Sequence, residues 1–326
     1  MSNRNSDTID FILEIGQHFL GGLSLISNLF IILLFVMMKK KNFTFELFIY
    51  LAFASIINNI SHFLVYIKES DTDETRKLYF HSPLCETQSI LMIFSEMSVV
   101  IIGTIISIYC YYVAKDYYNN NDEVEQDSYL NKRILVIIFG YFVPIIACLV
   151  FYFCDILGPN QIWCWFREDI GKETTNYFVY QIYYYIFIWI LICLNIFYIL
   201  IALFLKTDIR FEDDVHRKNY VKSLLIYPFL CFFTWLPATL DRIFFIYFDK
   251  KWEEAFEFIN VVLFQLQGFT FALFFICNNW IKVKKIFLNM CRNKRKIEIE
   301  KVDINKTGDK SLDPNKTYVT FITSEN

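Results

Sequence analysis

The sequence predicts an all-α membrane protein, a seven-transmembrane helix bundle with its amino terminus outside, its carboxyl terminus cytoplasmic and a short amphipathic helix after the last span. Composition is the first observation behind this prediction. Of the 326 residues, 56% are hydrophobic, including 36 Phe and 21 Tyr, and the mean hydropathy is +0.37. A water-soluble chain of this length is far less apolar. The other two observations are seven long apolar runs and the side on which Lys and Arg collect.

Seven apolar runs are long enough to cross a bilayer as helices. A hydrocarbon core of about 30 Å requires roughly 20 residues at the rise of an α-helix. Charged clusters bound each run, such as KESDTDETRK between the second run and the third. The runs, numbered in chain order, are 11–38, 43–67, 85–114, 134–154, 177–205, 220–248 and 256–281.

Basic residues determine the predicted orientation, because Lys and Arg in short loops stay on the cytoplasmic side. With the amino terminus outside, the inner segments hold most of these residues, including Lys39, Lys40 and Lys41 after the first run and a dense group over 282–296. We therefore expect four parts in the chain. They are a short extracellular amino terminus over 1–10, the seven-helix domain over 11–281, an interfacial amphipathic helix over 282–294 and a disordered cytoplasmic tail over 295–326.

The stretch QIWCWFRE, after the fourth run, places Cys164 in a predicted outer loop. Cys85 begins the third run at the same surface, where an oxidising exterior permits a disulfide. We predict a bridge between Cys85 and Cys164, with Cys154 at the outer end of the fourth run as the rival partner. The tryptophans on either side, Trp163 and Trp165, either belong to an interfacial aromatic belt or pack the loop onto the bundle as a lid.

Polar residues inside the apolar runs are the candidate ligand-binding residues. An ionised side chain costs roughly 2.5 to 3.5 kcal/mol at the centre of a membrane helix, so it usually faces the bundle or a watery cavity. Glu96 lies about 16 Å below the outer end of the third run by helical rise. It shares a helix face with Ser89, Gly103 and Ser107.

Glu96, Thr234, Asp241 and Gln267 are expected to converge in the outer half of the bundle. Arg242 either clamps an anionic group of the ligand or extends into water. The competing interpretation is that these groups tie the helices together by hydrogen bonds. For polar residues of the first two runs we expect packing or network roles; these are Glu14, His18, Asn28, Asn58 and Asn59.

Several short motifs lie between the third run and the seventh. They are Trp163-Cys164-Trp165, ISIY from Ile106, Pro144, TW and DRI within 234–243, and QGF and NNW within 267–280. Together they resemble the slime-mould cyclic AMP receptors and cyclic AMP receptor-like proteins, which are seven-helix G-protein-coupled receptors. The resemblance implies a plasma-membrane receptor with the Cys85–Cys164 disulfide, agonist access from outside and a heterotrimeric G protein inside. This chain has Asp241 where the family carries Asn, which weakens cyclic AMP as the expected agonist.

The expected partners are thus an extracellular small-molecule agonist, a heterotrimeric G protein and membrane lipids. The surface expected to face the G protein comprises Tyr109, at the inner end of the third run, and Lys39, Lys40 and Lys41. Pro228 and Pro237 predict a kinked sixth run that moves on activation.

Other classes of protein fit the sequence less well. The last run contains no Lys for a retinal Schiff base, and the four His lie on separate segments without metal-ligand spacing. We therefore expect no enzyme, no cofactor and no metal, and the net charge of −3 gives no reason to expect nucleic acid. A transporter or channel that uses Glu96 and Asp241 as a proton or cation relay is the alternative function.

Overall fold

The computed structural model describes the backbone of residues 3–38, 43–64, 83–118, 129–160, 163–167, 175–208, 226–247, 250–280, 283–286 and 288. The chain divides into two compact units, Met1–Asn278 and Asn279–Asn326. In the second unit, residues 283–286 and 288 are helical, and the Val283 N–H donates to the Asn279 carbonyl at 2.9 Å. The rest of the predicted amphipathic helix and the predicted tail lie outside the described residues.

The first unit is built almost entirely of helices, and these fall on the seven predicted runs. The helices are α1 (Asn3–Met37), α2 (Phe43–Leu64), α3 (Pro83–Tyr118), α4 (Tyr129–Ile137), α5 (Val143–Phe153), α6 (Thr175–Asp208), α7 (Ile226–Tyr247) and α8 (Lys250–Asn278). A π-helical turn, Ile138–Phe142, joins α4 to α5, so both belong to the fourth run. Several helices continue past their run into the polar flanks, as α3 does by four residues, because a helix satisfies its own backbone groups wherever the chain permits.

Five helical segments are long and apolar enough to cross a membrane. They are His18–Met37, Glu46–Leu64, Pro83–Lys115, Lys132–Phe153 and Tyr180–Phe204. The apolar segments of α7 and α8, Phe229–Leu240 and Val262–Cys277, are shorter within the described residues. Large apolar side chains cover the outside of the bundle, and Phe153 and Phe204 are 80% and 73% exposed. A lipid-facing surface explains this exposure, and these features indicate an α-helical membrane protein.

The third helix, α3, is the centre of the bundle. Of its membrane-length window 78% is buried, whereas the other four windows are 22% to 56% buried. It contacts α2, α5, α6 and α7. A Cβ on Gly103 would lie 3.2 Å from Cys231 Sγ of α7 and 3.5 Å from Asn195 Nδ2 of α6. Small residues at such points let helices approach closely in a membrane. Glycine at position 103 therefore allows α6 and α7 to pack close to α3.

Pro144 accounts for the π-helical turn between α4 and α5. Proline has no N–H to donate, and in a regular α-helix its ring clashes with the carbonyl four residues earlier. The wider turn at Ile138–Phe142 precedes it directly, as π-bulges often do where a helix is kinked. Gly140 in this turn packs on α3, where an added Cβ would lie 3.0 Å from Ile102 Cγ1. Glycine at this position thus lets the π-helical turn lie close to α3 at the centre of the bundle.

A two-stranded antiparallel β-hairpin follows α5, where the sequence predicted only a connecting loop. Strands β1 (Leu157–Asn160) and β2 (Trp163–Phe166) pair with Leu157 opposite Phe166 and Pro159 opposite Cys164. Asp155 joins α5 to the hairpin in the left-handed conformation, with φ at 53°. The aromatic residues of WCWF favour a strand, but the run is too short to be separated from a loop by its pattern. The all-α prediction is therefore incomplete by this hairpin.

Candidate functional site

The disulfide between Cys85 and Cys164 attaches the hairpin to the first turn of α3. Their Cα atoms are 5.2 Å apart, and both residues are buried. The Cys164 N–H also donates to Gln88 Oε1 of α3 at 3.3 Å. This is the pairing that the sequence predicted, and the rival Cys154 is an exposed free thiol.

A second set of contacts closes the base of the hairpin. The Arg167 N–H donates to the Ile156 carbonyl at 3.0 Å, and Arg167 Nη1 lies 3.1 Å from Asp155 Oδ2. Because Asp155 is exposed, this ion pair contributes little to stability. The disulfide and the packing described next therefore hold the hairpin in place.

The hairpin packs an aromatic side chain into the bundle. Trp165 is buried, and its ring centroid lies 5.7 Å from that of Tyr184 and 5.9 Å from that of Tyr185, both on α6. Phe166 is also buried and contacts Tyr184 at 5.3 Å. Of the two interpretations of these tryptophans, Trp165 fits the lid rather than an interfacial belt. The side chain of Trp163 lies outside the described residues.

Glu96 lies beneath this aromatic layer. It is buried on α3, and the Tyr184 hydroxyl donates to its Oε2 at 2.9 Å. The stretch YQIYYYIF of the fifth run offers four tyrosines over two turns, and nothing in its spacing singles out Tyr184. The partner of Glu96 was therefore missed in the sequence, although Glu96 itself was found.

Thr234 and Gln267 meet at the contact between α7 and α8. Gln267 Nε2 donates to Thr234 Oγ1 at 3.4 Å, and the Thr234 hydroxyl donates to the Cys231 carbonyl at 2.9 Å. Both side chains are buried. The long distance makes the first of these bonds weak.

Aromatic rings connect this pair to Glu96. Trp235, next to Thr234, lies 6.2 Å from Tyr184 and 5.3 Å from Phe264 of α8, measured between ring centroids. Phe264 stands one turn before Gln267. The structure thus joins three predicted site residues, Glu96, Thr234 and Gln267, through one aromatic layer.

The remaining two predicted ligand-binding residues, Asp241 and Arg242, belong to α7. Asp241 is two turns beyond Thr234, which is about 10 Å along the helix. The side chains of Asp241 and Arg242 lie outside the described residues. Their roles remain predictions from the sequence.

A second polar contact joins α3 to α6. The Ser107 hydroxyl hydrogen-bonds to Asn195 Oδ1, and the Thr104 hydroxyl lies 3.4 Å from the Leu191 carbonyl. Ser107 belongs to the face of α3 predicted to be polar and buried. Asn195 was not selected as a candidate. It is a polar residue within the apolar fifth run, and this feature alone could have identified it.

Polar residues of α1 and α2 form the network that their positions predicted. Asn59 Nδ2 donates to Ser24 Oγ at 3.0 Å, and Asn28 Nδ2 donates to the Ser24 carbonyl at 2.9 Å. On the other side of α2, the Ser95 hydroxyl donates to Asn58 Oδ1 at 3.1 Å. These bonds hold α1, α2 and α3 together.

Replacement of Gly268 of α8 by Ala is expected to destabilise the bundle by about 1 to 3 kcal/mol, because overpacking of a tight core costs that much. The added Cβ would lie 2.2 Å from Asn28 Nδ2 and 2.3 Å from Ser24 Oγ, and both side chains are held by the network. Gly22→Ala is the matched control, since a Cβ there meets no atom within 4 Å. Thermal unfolding of both variants in lipid nanodiscs measures the difference, and equal midpoints would contradict this account.

The end of the bundle where α2 begins carries a charged contact that the sequence did not reveal. Arg133 of α4 forms a bidentate ion pair with Glu46 of α2. Its Nε and Nη2 each donate to a carboxylate oxygen at 2.5 Å. Tyr109 of α3, predicted to face the G protein, stacks edge-on against Phe43 at 5.1 Å in the same region. Lys39, Lys40 and Lys41 lie outside the described residues.

Comparisons with known proteins do not identify the chain. No protein-family model matches it, and no curated protein matches it. Within the described residues, no group of three or more His, Cys, Asp or Glu side chains is placed to hold a metal ion.

Proposed function

We propose that this chain is a G-protein-coupled receptor of the plasma membrane that senses a small molecule and activates a heterotrimeric G protein. The observation that carries the proposal is the position of the hairpin. The Cys85–Cys164 disulfide attaches it to the first turn of α3, and its Trp165 and Phe166 pack on Tyr184, which donates a hydrogen bond to the buried Glu96. In this proposal seven helical runs cross the membrane, with α4 and α5 forming one of them. The amino terminus is outside and the carboxyl terminus cytoplasmic, as the distribution of Lys and Arg predicts.

The hairpin that covers the proposed binding site favours a receptor over a transporter. Alternating access requires that the binding site open in turn to each side of the membrane. Trp165 and Phe166 are buried between the hairpin and α6, and the disulfide restrains their departure. A binding site covered in this way is suited to holding a ligand while a signal passes to the other face.

The helix proposed to transmit this signal is α7. Pro237 stands inside it and removes the bond that its N–H would give to the Phe233 carbonyl, which favours a hinge. Trp235, half a turn away, packs against Tyr184 and Phe264. A ligand that binds one arrangement of these rings better than another shifts α7 by that difference in affinity.

The likeness to the slime-mould cyclic AMP receptors remains part of the proposal. It supports the pairing of Cys85 with Cys164 and the G protein as partner, with Tyr109 and Lys39 to Lys41 on the face that the G protein contacts. Because this chain has Asp241 where the family carries Asn, the proposal does not specify cyclic AMP as the agonist. The residues proposed to line the ligand site are Glu96, Thr234, Asp241, Arg242 and Gln267.

Nucleotide exchange tests the proposal. The chain is reconstituted in nanodiscs with a purified heterotrimeric G protein, and guanine-nucleotide exchange is followed while small molecules are screened. We expect at least one compound to accelerate exchange in a way that requires the chain. Substrate uptake or ion current in proteoliposomes without G protein, together with no exchange for any compound, would instead establish the transporter or channel.

A further inference from the structure

Two buried serines of the bundle lack the hydrogen bond that the other buried hydroxyls of their helices make. Buried hydroxyls elsewhere on α2 and α3 donate to a carbonyl three or four residues earlier on the same helix, as Ser61 and Ser89 do at 2.6 and 3.0 Å. The hydroxyl oxygens of Ser55 on α2 and Ser98 on α3 have no hydrogen-bond partner among the residues that the structure describes. These two hydroxyls are therefore available to a partner outside their own helix.

Asn28 of α1 presents a third oxygen of this kind. Its Nδ2 donates to the Ser24 carbonyl at 2.9 Å, but its Oδ1 has no partner within the described part of the chain. Asn28, Ser55 and Ser98 are 1%, 4% and 0% exposed. Polar atoms buried this completely are nearly always hydrogen-bonded, either to protein or to ordered water. Each of the three oxygens therefore requires a partner.

Four contacts show how α1, α2 and α3 run relative to one another. They are the ring pairs His18–Phe63 and Tyr109–Phe43, at 6.1 and 5.1 Å between centroids, and the hydrogen bonds Asn59–Ser24 and Ser95–Asn58, at 3.0 and 3.1 Å. In both pairs of helices, a higher residue number on α1 or α3 goes with a lower number on α2. Both neighbours are therefore antiparallel to α2.

Asn28, Ser55 and Ser98 lie one turn beyond the two hydrogen bonds. Asn28 is four residues after the α1 partner of the first bond, and Ser55 is four residues before its α2 partner, which is about 6 Å along each helix. Ser98 is three residues after the α3 partner of the second bond, and Ser55 is three residues before its α2 partner, about 4.5 Å. Residues three or four apart share a helix face. Ser55 is therefore opposite both Asn28 and Ser98, and the three oxygens face a common point.

The occupant of this point must be small, neutral and able to donate a hydrogen bond. Asn28 Oδ1 can only accept, whereas a serine hydroxyl both donates and accepts. The three side chains carry no charge. The carboxylates described nearby have other partners, since Glu46 pairs with Arg133 and Glu96 accepts from Tyr184. An ion buried without an opposite charge is costly, whereas a buried water needs only two to four polar partners.

We propose that a water molecule binds between α1, α2 and α3, where it donates to Asn28 Oδ1 and accepts from the hydroxyls of Ser55 and Ser98. It joins three oxygens that make no direct bond with one another, and so extends the polar network of these helices by one turn. The site concerns how the helices are joined, so it is independent of the proposed receptor function.

Alanine at the two serines tests the proposal, because the sign of the effect depends on whether the site is hydrated. We expect Ser98→Ala and Ser55→Ala each to lower the thermal midpoint of the full chain in nanodiscs by a few degrees, since the water loses one of its partners. In a dry site the same change removes a buried, unsatisfied hydroxyl, and the midpoint rises or stays unchanged. That result would overturn the proposal.

Ser89→Ala and Ser61→Ala are the matched controls. Ser89 shares α3 with Ser98, and Ser61 shares α2 with Ser55; both controls are buried and donate to a carbonyl of their own helix. They carry the same change in helix propensity, so their midpoints provide the reference. A drop at Ser98 and Ser55 no larger than the drop in these controls would contradict the site.

A sodium ion is the competing occupant, and a change of salt separates it from water. The midpoint of the wild-type chain is measured in sodium chloride and in choline chloride at equal ionic strength. Water predicts equal midpoints in the two salts. A midpoint that sodium raises by mass action, with the rise lost in Ser98→Ala, would show a cation site and overturn the proposal.

A high-resolution cryo-electron-microscopy map of the full chain in nanodiscs locates the occupant directly. We expect one isolated peak at hydrogen-bonding distance, about 2.8 Å, from Asn28 Oδ1, Ser55 Oγ and Ser98 Oγ. A map that shows ordered water elsewhere in the bundle and no peak at this point would rule the site out.

Discussion

Replacing both Cys85 and Cys164 with Ser is expected to destabilise the folded chain by about 4 kcal/mol. The bond closes a loop with a sequence separation of 79 residues, and the chain-entropy model gives a loss of that order when such a link is removed. The effect is measured as a lower thermal midpoint in nanodiscs, with intrinsic tryptophan fluorescence as the signal. Because Trp165 of the hairpin is buried against α6, its emission is also expected to shift to longer wavelength once the hairpin is released.

The control for this experiment is Cys154→Ser. Cys154 is close to the hairpin in the sequence, but its thiol is free and exposed, so the substitution should leave the midpoint within the error of the measurement. Reduction of the wild-type chain should reproduce the double variant. A midpoint that neither the double substitution nor reduction lowers would show that the hairpin does not depend on this bond.

Glu96→Ala is expected to raise the agonist concentration for half-maximal nucleotide exchange by roughly 10- to 150-fold, because hydrogen bonds to charged groups contribute about 1.5 to 3 kcal/mol. The measurement uses the agonist found by screening and is normalised to surface expression. Glu96→Gln keeps the size of the side chain and removes its charge, and should cause most of the same loss. Tyr184→Phe removes the donor to Glu96 and should have a smaller effect, since the carboxylate remains.

Glu86→Gln provides the comparison for the loss of charge. Glu86 lies in the first turn of the same helix, α3, about 15 Å along the axis from Glu96. Its substitution should leave potency unchanged at equal expression. If Glu96→Ala and Glu96→Gln both behave like Glu86→Gln, the ligand does not use this carboxylate and the proposed site is wrong.

The polar residues show how far sequence reasoning reaches into the site. Glu96 and Gln267 could be selected because a polar group in an apolar run is costly and must face the bundle, and both are buried. Their neighbours required the fold. Tyr184 is one of several tyrosines on two turns of α6, and the rotation of that helix, which depends on packing against α3, decides which of them meets Glu96.

Contacts between distant segments also lay beyond the sequence. Glu46 and Arg133 are 87 residues apart, and each reads in the sequence as an ordinary charged residue at the end of an apolar run. The β-hairpin is formed by eight residues with no strong alternation. None of these features has a local signature.

The sequence by itself determined the helical segments and the membrane as their surroundings, and it predicted Cys85 as the partner of Cys164 with Cys154 as the alternative. The reason is that a bilayer requires each crossing segment to satisfy its own backbone hydrogen bonds, so length and apolar composition of consecutive residues are sufficient evidence for a helix. Tertiary structure alone decided the hairpin, the hydrogen bond from Tyr184 to Glu96 and the ion pair of Glu46 with Arg133. These depend on the rotation and tilt of whole helices, which the summed packing of many side chains sets and which no short stretch of sequence encodes.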